Sequence, residues 1–213
     1  MQSGRDAKNG SSTFEDYVVE QIQSKVGKEF IRKHHYSHSC HNGPMCWGLV
    51  HKSRGLVGVI AFATPCSENV RASVYGPDRK NEVTELHRMV ILDAEPWGMA
   101  TWFMSRAIKG LKGYRPAITA VLSFADSTEG HEGTVYRAAN FHEVGSTGSA
   151  TFYRDAEGRL RHPRQNGVNI STQEAKSRGW RPEKRGAKKR FILFVGTPRQ
   201  KKSLLKQSRF ADY

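Results

Sequence analysis

The segment 123–141 contains side chains that could perform acid–base or metal chemistry. Asp126 follows an apolar run, 117–124, that predicts a buried strand, and ligands of open α/β sheets bind beyond the carboxyl ends of such strands. His131 lies between two glycines, just before a predicted helix that carries Tyr136. An aspartate, a histidine and a tyrosine could bind a metal or transfer protons. Alternatively, Asp126 only caps a turn and Tyr136 packs under the sheet, and the residues alone leave both interpretations open.

A second cluster, 34–46, holds four histidines and two cysteines within thirteen residues. Imidazole and thiolate groups are preferred ligands of zinc and of softer transition metals. The spacing matches no standard zinc finger. A closed zinc site would need four side chains to converge on their own: His38, Cys40, His41 and Cys46. We expect instead that some of the histidines face a substrate and that the others belong to a loop.

The turn 95–100 could hold an anionic ligand. It links a predicted strand to a predicted helix, and Gly98 and Ala100 would let backbone N–H groups approach a phosphate at the helix N-terminus. The GNAT acyltransferase pattern has Gln or Arg, two residues, Gly, one residue, and Gly or Ala. This chain matches the last two positions but has Glu95 at the first. An ordinary strand-to-helix turn is the alternative.

A series of predicted strands and helices must position these segments. Strands are predicted at 17–22, 47–51, 56–63, 83–92, 117–124, 141–144, 151–154, 159–161 and 191–195. Helices are predicted at 25–35, with Ser24 as the cap, at 98–112 and at 134–140. Within 83–92, alternation places Leu86, Arg88 and Val90 on one face. This order favours an α/β fold with a mostly antiparallel sheet, helices on both sides and one parallel crossover.

The positive charge of the chain is concentrated in its last third. The formal net charge is +14; residues 1–150 contribute +2 and residues 151–213 contribute +12. Such asymmetry indicates a surface for a polyanion, because neutralised phosphates release condensed counterions, and a solvated tail is the alternative. Seven cations of the densest run are candidates for DNA binding: Arg178, Arg181, Lys184, Arg185, Lys188, Lys189 and Arg190.

Composition also bounds the compartment and the domain organisation. Three cysteines make no disulfide framework, so a reducing cytoplasm is expected. The sequence has no apolar run of membrane-spanning length, signal peptide, basic amphipathic helix or lipidation motif, so we expect no membrane partner. Residues 1–12 are expected to be mobile, and 13–213 to form one domain in which 151–213 supply a basic DNA-binding hairpin, strand and tail.

Four segments, in order, resemble the Mom family of Mu-like phages. They are His35-Tyr36-Ser37, 58–65, 85–88 and the stretch from 123 to 141, and Asp126 to Tyr136 is the most specific part. The resemblance spans about residues 20–145. It implies a GNAT-like fold that departs from the GNAT signature. It also implies an enzyme that adds a carbamoylmethyl group to the exocyclic N6 amine of adenine in duplex DNA, which protects phage DNA from restriction in the cytoplasm of the infected host.

The resemblance further implies iron as a cofactor and acetyl-CoA, or another activated acyl donor, as the source of the transferred group. By motif position, the residues tied to metal binding or catalysis are His35, Tyr36, Asp126 and Tyr136, and Arg88 is tied to donor binding. Such a set of hard nitrogen and oxygen ligands suits iron better than structural zinc. Reaching the amine in a duplex requires flipping the base, and the candidates for stacking on it are Trp47, Phe124 and Tyr136.

Two other functions stay open at this point. One is a GNAT-like acyltransferase that acts on RNA or protein, which transfer to an amine of a non-DNA acceptor would favour. The other is a non-enzymatic nucleic-acid-binding module with a His/Cys zinc loop at 38–46. A stoichiometric zinc ion whose removal unfolds the chain would support that module.

Overall fold

The structure is a computed structural model, and it describes residues 13–65, 67–92, 95–165 and 168–212. The expected mobile segment 1–12 lies outside the described residues. The strands are β1 Tyr17–Ile22, β2 Met45–His51, β3 Gly55–Ala63, β4 Val83–Ile91, β5 Ala120–Asp126, β6 His142–Ser146, β7 Ala150–Arg154, β8 Leu160–Arg161, β9 Arg164–Gln165, β10 Val168–Asn169, β11 Arg181–Arg185 and β12 Lys188–Phe194. The α-helices are α1 Ser24–His34, α2 Glu68–Tyr75, α3 Met99–Tyr114, α4 Thr134–Ala138, α5 Thr172–Ser177 and α6 Pro198–Gln207.

Seven strands form the large sheet, in the order β1-β2-β3-β4-β5-β12-β6. Neighbouring strands are antiparallel except β4 and β5, which are parallel. These two strands pair over only three residues, Val83–Glu85 with 120–122, and no pairing between them follows. The predicted mostly antiparallel sheet with one parallel crossover is confirmed. Because β4 and β5 pair over so few residues, a gap opens between these two strands in the middle of the sheet.

Helices cover both faces of the large sheet. The α3 face holds the largest apolar cluster, which includes Phe62, Phe103 and Phe191, each fully buried. On the opposite face, α1 packs through Ile31 beside Cys46, and α2 and α6 cover a further cluster there. None of the described helices is long and apolar enough to cross a membrane.

A β-bulge corrects the predicted alternation of β4. Leu86 pairs with Phe62, but Arg88 pairs with the adjacent Ala61, so the bulge accommodates one extra residue between them. Leu86 therefore joins the α3-face cluster, whereas Val90 lies on the α1 face. The prediction that Leu86 shares a face with Arg88 and Val90 is wrong, because a period of two does not survive a bulge.

Three further elements differ from the predictions. Ser24 is the first residue of α1 and not its cap; Gln23 occupies the cap position and its side chain makes no capping hydrogen bond. The basic stretch between the predicted strands 159–161 and 191–195, for which no helix or strand was predicted, contains α5 and β11, and β11 joins the predicted β7–β8 hairpin in a three-stranded sheet ordered β11-β7-β8. The expected tail contains α6, which begins with a capping box between Thr197 and Gln200.

Candidate active site

The candidate site lies where β4 and β5 separate. Beyond their last paired residues, β4 continues to Arg88 and β5 continues to Asp126. The loop that follows α1 lies beside this gap. Arg88, on the β4 side of the gap, donates hydrogen bonds to Ser37 and Ser39 of that loop. The fold thus brings together the two segments that the sequence singled out.

His35 is buried and electrically neutral. Its Nδ1 accepts a hydrogen bond from the backbone N–H of Ser37 at 3.1 Å, and the Ser37 hydroxyl lies 2.9 Å away. The ring proton of the neutral form is therefore on Nε2. Burial, together with the charges of Arg88 and His131, lowers the pKa of His35 to about 4. At neutral pH the ring is a hydrogen-bond donor through Nε2.

Tyr36 links the two segments. Its side chain is 47% exposed, and its ring centroid lies 4.3 Å from that of His35 and 5.3 Å from that of His131. Burial raises the pKa of Tyr36; the Asp126 carboxylate raises it further and the Arg88 guanidinium opposes this. Tyr36 is therefore a neutral, partly exposed aromatic ring within electrostatic reach of Asp126.

Asp126 is buried among cations. Its Oδ1 accepts a hydrogen bond from the backbone N–H of Thr128, and its Oδ2 lies 3.0 Å from Arg185 and 3.2 Å from Lys188. Burial raises the pKa of Asp126, but the hydrogen bond from Arg185 and the charge of Lys188 outweigh burial and hold the pKa below its usual value. Asp126 is consequently an ionised carboxylate with a fixed orientation.

Tyr136 approaches the gap from the α3 face. Its ring packs 5.2 Å from Phe191 and 5.5 Å from Phe141, as the core interpretation expected. Burial raises the pKa of Tyr136, the Ser123 hydroxyl lowers it by hydrogen bonding, and the Glu85 carboxylate raises it. The ring is therefore part of the core, while the protonated hydroxyl lies beside the last paired residues of β4 and β5.

Arg88 fastens the His35–Ser37 segment to β4. Its Nε donates to the Ser37 hydroxyl at 3.0 Å and to the Ser39 carbonyl at 3.1 Å, and its Nη1 donates to the His87 carbonyl at 2.7 Å. The family resemblance implies a role of Arg88 in donor binding. The structure gives it a set of neutral acceptors, mostly within the protein's own loop.

The turn 95–100 leads into α3, as predicted. Gly98 occupies the cap position of α3 with φ +85°, and Ala100 lies in its first turn. Glu95, the residue that breaks the acyltransferase pattern, forms a bidentate ion pair with Arg54 at 2.8 and 2.9 Å and also accepts from the Tyr17 hydroxyl. Arg54 thereby compensates the charge of Glu95 beside the helix N-terminus.

The iron site that the family resemblance implies does not fit these side chains. Across the described ranges, no three His, Cys, Asp or Glu side chains are placed to hold a metal ion. The Nδ1 lone pair of His35 already accepts from Ser37, so in this tautomer neither ring nitrogen is free to ligate. Asp126 is taken up by Arg185 and Lys188. We derive no step through iron.

The residues of the alternative zinc loop, 38–46, also form no metal site among the residues that the structure describes. Cys46 is 1% exposed and belongs to the α1-face core, where Gly27 leaves room for it. Burial raises the pKa of the Cys46 thiol to about 12, so it is not the thiolate that zinc requires. The Nδ1 of His41 lies 2.7 Å from the Asn42 carbonyl.

The seven cations proposed for DNA binding have different surroundings. Arg185 is buried and pairs with three carboxylates: Asp126, Glu129 and Glu183. Four others have partners of their own: Lys188 with Asp126, Lys189 with Glu132, Arg178 with Glu174, and Arg190 with Ser73 and the ring of Phe124. Arg181 and Lys184 are exposed and make no ion pair with the described residues. No feature of the sequence marks this division, because Glu183 is the one acidic residue in a run that is otherwise basic.

Of the aromatic residues proposed to stack on a base, Trp47 is core, with 3% exposure. Phe124 lies in the large sheet, half-buried under the Arg190 guanidinium. Sequence reasoning missed two supporting residues, Ser39 and Glu129, which hold Arg88 and Arg185 respectively. Both lie inside segments that had been singled out for other residues, so only three-dimensional contacts identify their roles.

The fold is that of the GNAT-type N-acetyltransferases. Spermidine/spermine N-acetyltransferase SpeG from Vibrio cholerae superposes with a TM-score of 0.50 at 11% identity, over 90% of this chain and 97% of SpeG. A single-residue variant of SpeG gives 0.51 at 9% identity, over 91% of this chain and 96% of the variant. Identities this low speak for the fold alone.

The chain belongs to the Mom protein family, which matches residues 16–209. The methylcarbamoylase Mom of Escherichia phage Mu is 31% identical over 139 residues. That match covers 65% of this chain and 58% of the phage Mu protein. The chain therefore aligns with little more than half the length of this relative.

Proposed function

We propose that this protein is a phage DNA-modifying transferase that acts on the exocyclic N6 amine of adenine in double-stranded DNA. Membership of the Mom family and likeness to a protein named methylcarbamoylase support this reaction. The product would be a carbamoylmethyl-type adenine that resists host restriction, formed in the cytoplasm of the infected bacterium. The observation that carries the proposal is the convergence of His35, Tyr36 and Asp126 over the gap between β4 and β5.

An acyl-CoA, with acetyl-CoA as the first candidate, is the proposed donor. The GNAT-type fold supports a thioester of this class. The backbone amides of Gly98, at the cap of α3, and of Ala100, in its first turn, would hold its phosphates. Arg88 would contribute positive charge on the β4 side, while it keeps the loop after α1 in place.

Two neutral hydrogen-bond donors would stabilise the negative charge that develops on the acyl donor. His35 offers Nε2–H and Tyr136 offers its hydroxyl, and both keep their protons at neutral pH, since the pKa of His35 is lowered and that of Tyr136 is raised. Hydrogen-bond donors fixed before reaction stabilise developing negative charge at little reorganisation cost.

The acceptor would be a flipped adenine. Tyr36, the most exposed aromatic ring of the site, would stack on the base. Oδ2 of Asp126 pairs with Arg185 and Lys188, but Oδ1, which accepts from the Thr128 N–H, has a second lone pair that would accept a hydrogen bond from the amine and so orient its nitrogen towards the donor. When N6 attacks the thioester carbonyl, the new C–N bond forms, the C–S bond breaks, and CoA leaves as its thiol with the proton that the amine loses. This step yields an N6-acyl adenine; a carbamoylmethyl product requires instead that N6 bond to the methyl-derived carbon and that a nitrogen donor, as a second co-reactant, supply the amide.

The test is to produce the protein in bacteria, digest the host DNA to nucleosides and search by mass spectrometry for an adenosine of increased mass. We expect the modified adenosine with the unsubstituted protein, and a loss of at least about 100-fold with Asp126→Ala, because the group that orients the amine is removed. Asp78→Ala, which removes an exposed acid without an ion pair among the described residues, is the matched control.

The outcomes separate the hypotheses. Modified DNA with the Asp126→Ala variant would remove Asp126 from the site. Unmodified DNA from folded protein would contradict DNA modification and favour transfer to RNA or protein, for which total RNA and protein from the same cells are analysed in parallel.

A further inference from the structure

The three-stranded sheet β11-β7-β8, here called the basic sheet, continues two strands of the large sheet. β12 pairs with β6 in the large sheet, and β11 pairs with β7 in the basic sheet. The chain runs directly from β6 to β7 and from β11 to β12, so the two sheets share one antiparallel ribbon that bends at 147–149 and 186–187. The basic sheet is therefore fixed in direction by the large sheet.

The bend is held against the loop that follows Asp126. The Gly186 N–H donates to the Thr128 hydroxyl at 3.0 Å, and the Ser127 hydroxyl donates to the Ala187 carbonyl at 2.9 Å. These bonds place the start of the basic sheet next to the candidate site.

Strand register divides the basic sheet into two faces. Directly paired residues share a face, and neighbours along a strand alternate. The inner face carries Phe152, Arg154, Arg181, Glu183 and Arg185. The outer face carries Thr151, Tyr153, Arg161, Pro182 and Lys184.

The outer face is covered by the protein itself. Tyr153 is 5% exposed, and its ring lies 6.4 Å from that of Trp180. The backbone N–H of Trp180 donates to the carbonyl of Ala175 in α5, and Ala175 is fully buried. The Arg161 guanidinium lies 6.0 Å from the Trp180 ring and pairs with Asp155. Packing and ion pairing occupy much of this face.

The inner face leads to the candidate site. At its near end Arg185 pairs with Asp126, and Glu183 connects Arg185 to Arg154. At its far end Arg181 is exposed, with no ion pair to the described residues, and Arg154 is partly exposed. The Phe152 ring packs edge-on against His162 at 4.9 Å. A polyanion with its reacting part at the candidate site would therefore contact the inner face rather than the outer face.

We propose that the inner face of the basic sheet contacts the DNA backbone beside the target nucleotide, with Arg181 and Arg154 as phosphate-binding side chains, while the outer face stays off the DNA. The proposal rests on the proposed function, because it takes duplex DNA as the substrate. The excess of +12 in residues 151–213 supplies the matching charge.

The test compares two cations of one strand that point to opposite faces. A fluorescent DNA duplex is titrated with the full-length protein over a series of salt concentrations, and anisotropy gives Kd. Arg181→Ala should weaken binding about fivefold to tenfold near 0.1 M salt and lower the salt slope by about one, the loss of a single phosphate contact. Lys184→Ala should weaken binding by less than about twofold, as general charge reduction does.

Lys176→Ala, which removes an exposed charge from α5, controls for net charge. Equal effects of Arg181→Ala and Lys184→Ala, or a larger effect of Lys184→Ala, would overturn the assignment of faces. If the unsubstituted protein modifies DNA but Arg181→Ala binds normally, only this inference fails. If folded protein neither binds nor modifies the duplex, the proposed function fails with it.

Discussion

Different interactions fix the two halves of the candidate site: hydrogen bonds to neutral groups in one and ion pairs in the other. In the α1 half, His35–Ser37, a guanidinium donates to hydroxyl and carbonyl groups that carry no charge. In the β5 half, 126–136, a buried carboxylate is surrounded by cations. A buried carboxylate is costly unless it is paired, whereas a neutral loop needs only hydrogen bonds to fix its path. The comparison shows that the cations near Asp126 have a structural role, since they pair with a buried carboxylate.

The largest expected effect comes from a matched pair of Arg→Met substitutions. Arg185→Met should lower the free energy of unfolding by about 3 kcal/mol, because three carboxylates lose a buried partner. Arg88→Met should lower it by about 1 kcal/mol, because only neutral acceptors are left. Urea denaturation measures both. Equal losses would show that the two halves are not held differently.

The second expected effect is a loss of stability at Gly133, where the backbone of the β5 half has a positive φ. Gly133 has φ +79°, and a Cβ there would lie 2.1 Å from Cζ of the fully buried Phe191. Gly133→Ala should therefore cost about 3 kcal/mol and displace Tyr136. Gly130, with φ +76° and open space around it, is the control, and Gly130→Ala should cost about 1 kcal/mol of backbone strain alone. A stable Gly133→Ala protein would contradict this packing.

The smallest effect is a pH dependence in the α1 half. The pKa of His35 is about 4 in the folded protein against 6.5 for the free side chain. Between these values the unfolded chain binds more protons, so stability is lost as pH falls from 6.5 towards 4. His35→Gln should reduce the difference in unfolding free energy between about pH 7 and about pH 5. An unchanged difference would assign the dependence to other groups, such as His87, whose pKa burial also lowers.

Local patterns predicted the elements with the clearest apolar runs. The strands β1 to β5 and the helix α3 lie on the runs expected of them: β2, β3 and β5 are nearly continuous buried runs, and α3 buries apolar residues at helical spacing. The helix α2, 68–75, was missed because it is short and carries two β-branched valines. The helix α6 had a readable signal in Thr197-Pro198 and Gln200, a proline at the first position inside a capping box.

The sequence singled out candidate residues of the site but not the residues that support them. Asp126 was singled out by its type and position and Tyr36 by the family resemblance, and the structure brings them within electrostatic reach. The burial of Arg185 could not be predicted, since two of its three carboxylate partners lie 56 and 59 residues away in sequence. The bulge that turns Arg88 towards Ser37 has no glycine to mark it.

β6 and β12 are adjacent strands, so residues 147–187 form, in topological terms, the loop of a single hairpin. Thr147 and Lys188, at its two ends, are hydrogen-bonded to each other, and a tight turn would close the hairpin without reordering the large sheet. The insert can therefore be replaced without changing the order of the large sheet, and under the proposed function its replacement alone would change the surface proposed to contact DNA. One condition limits the exchange: any replacement must return a cation to the place of Arg185, because the carboxylate that it neutralises stays behind in β5.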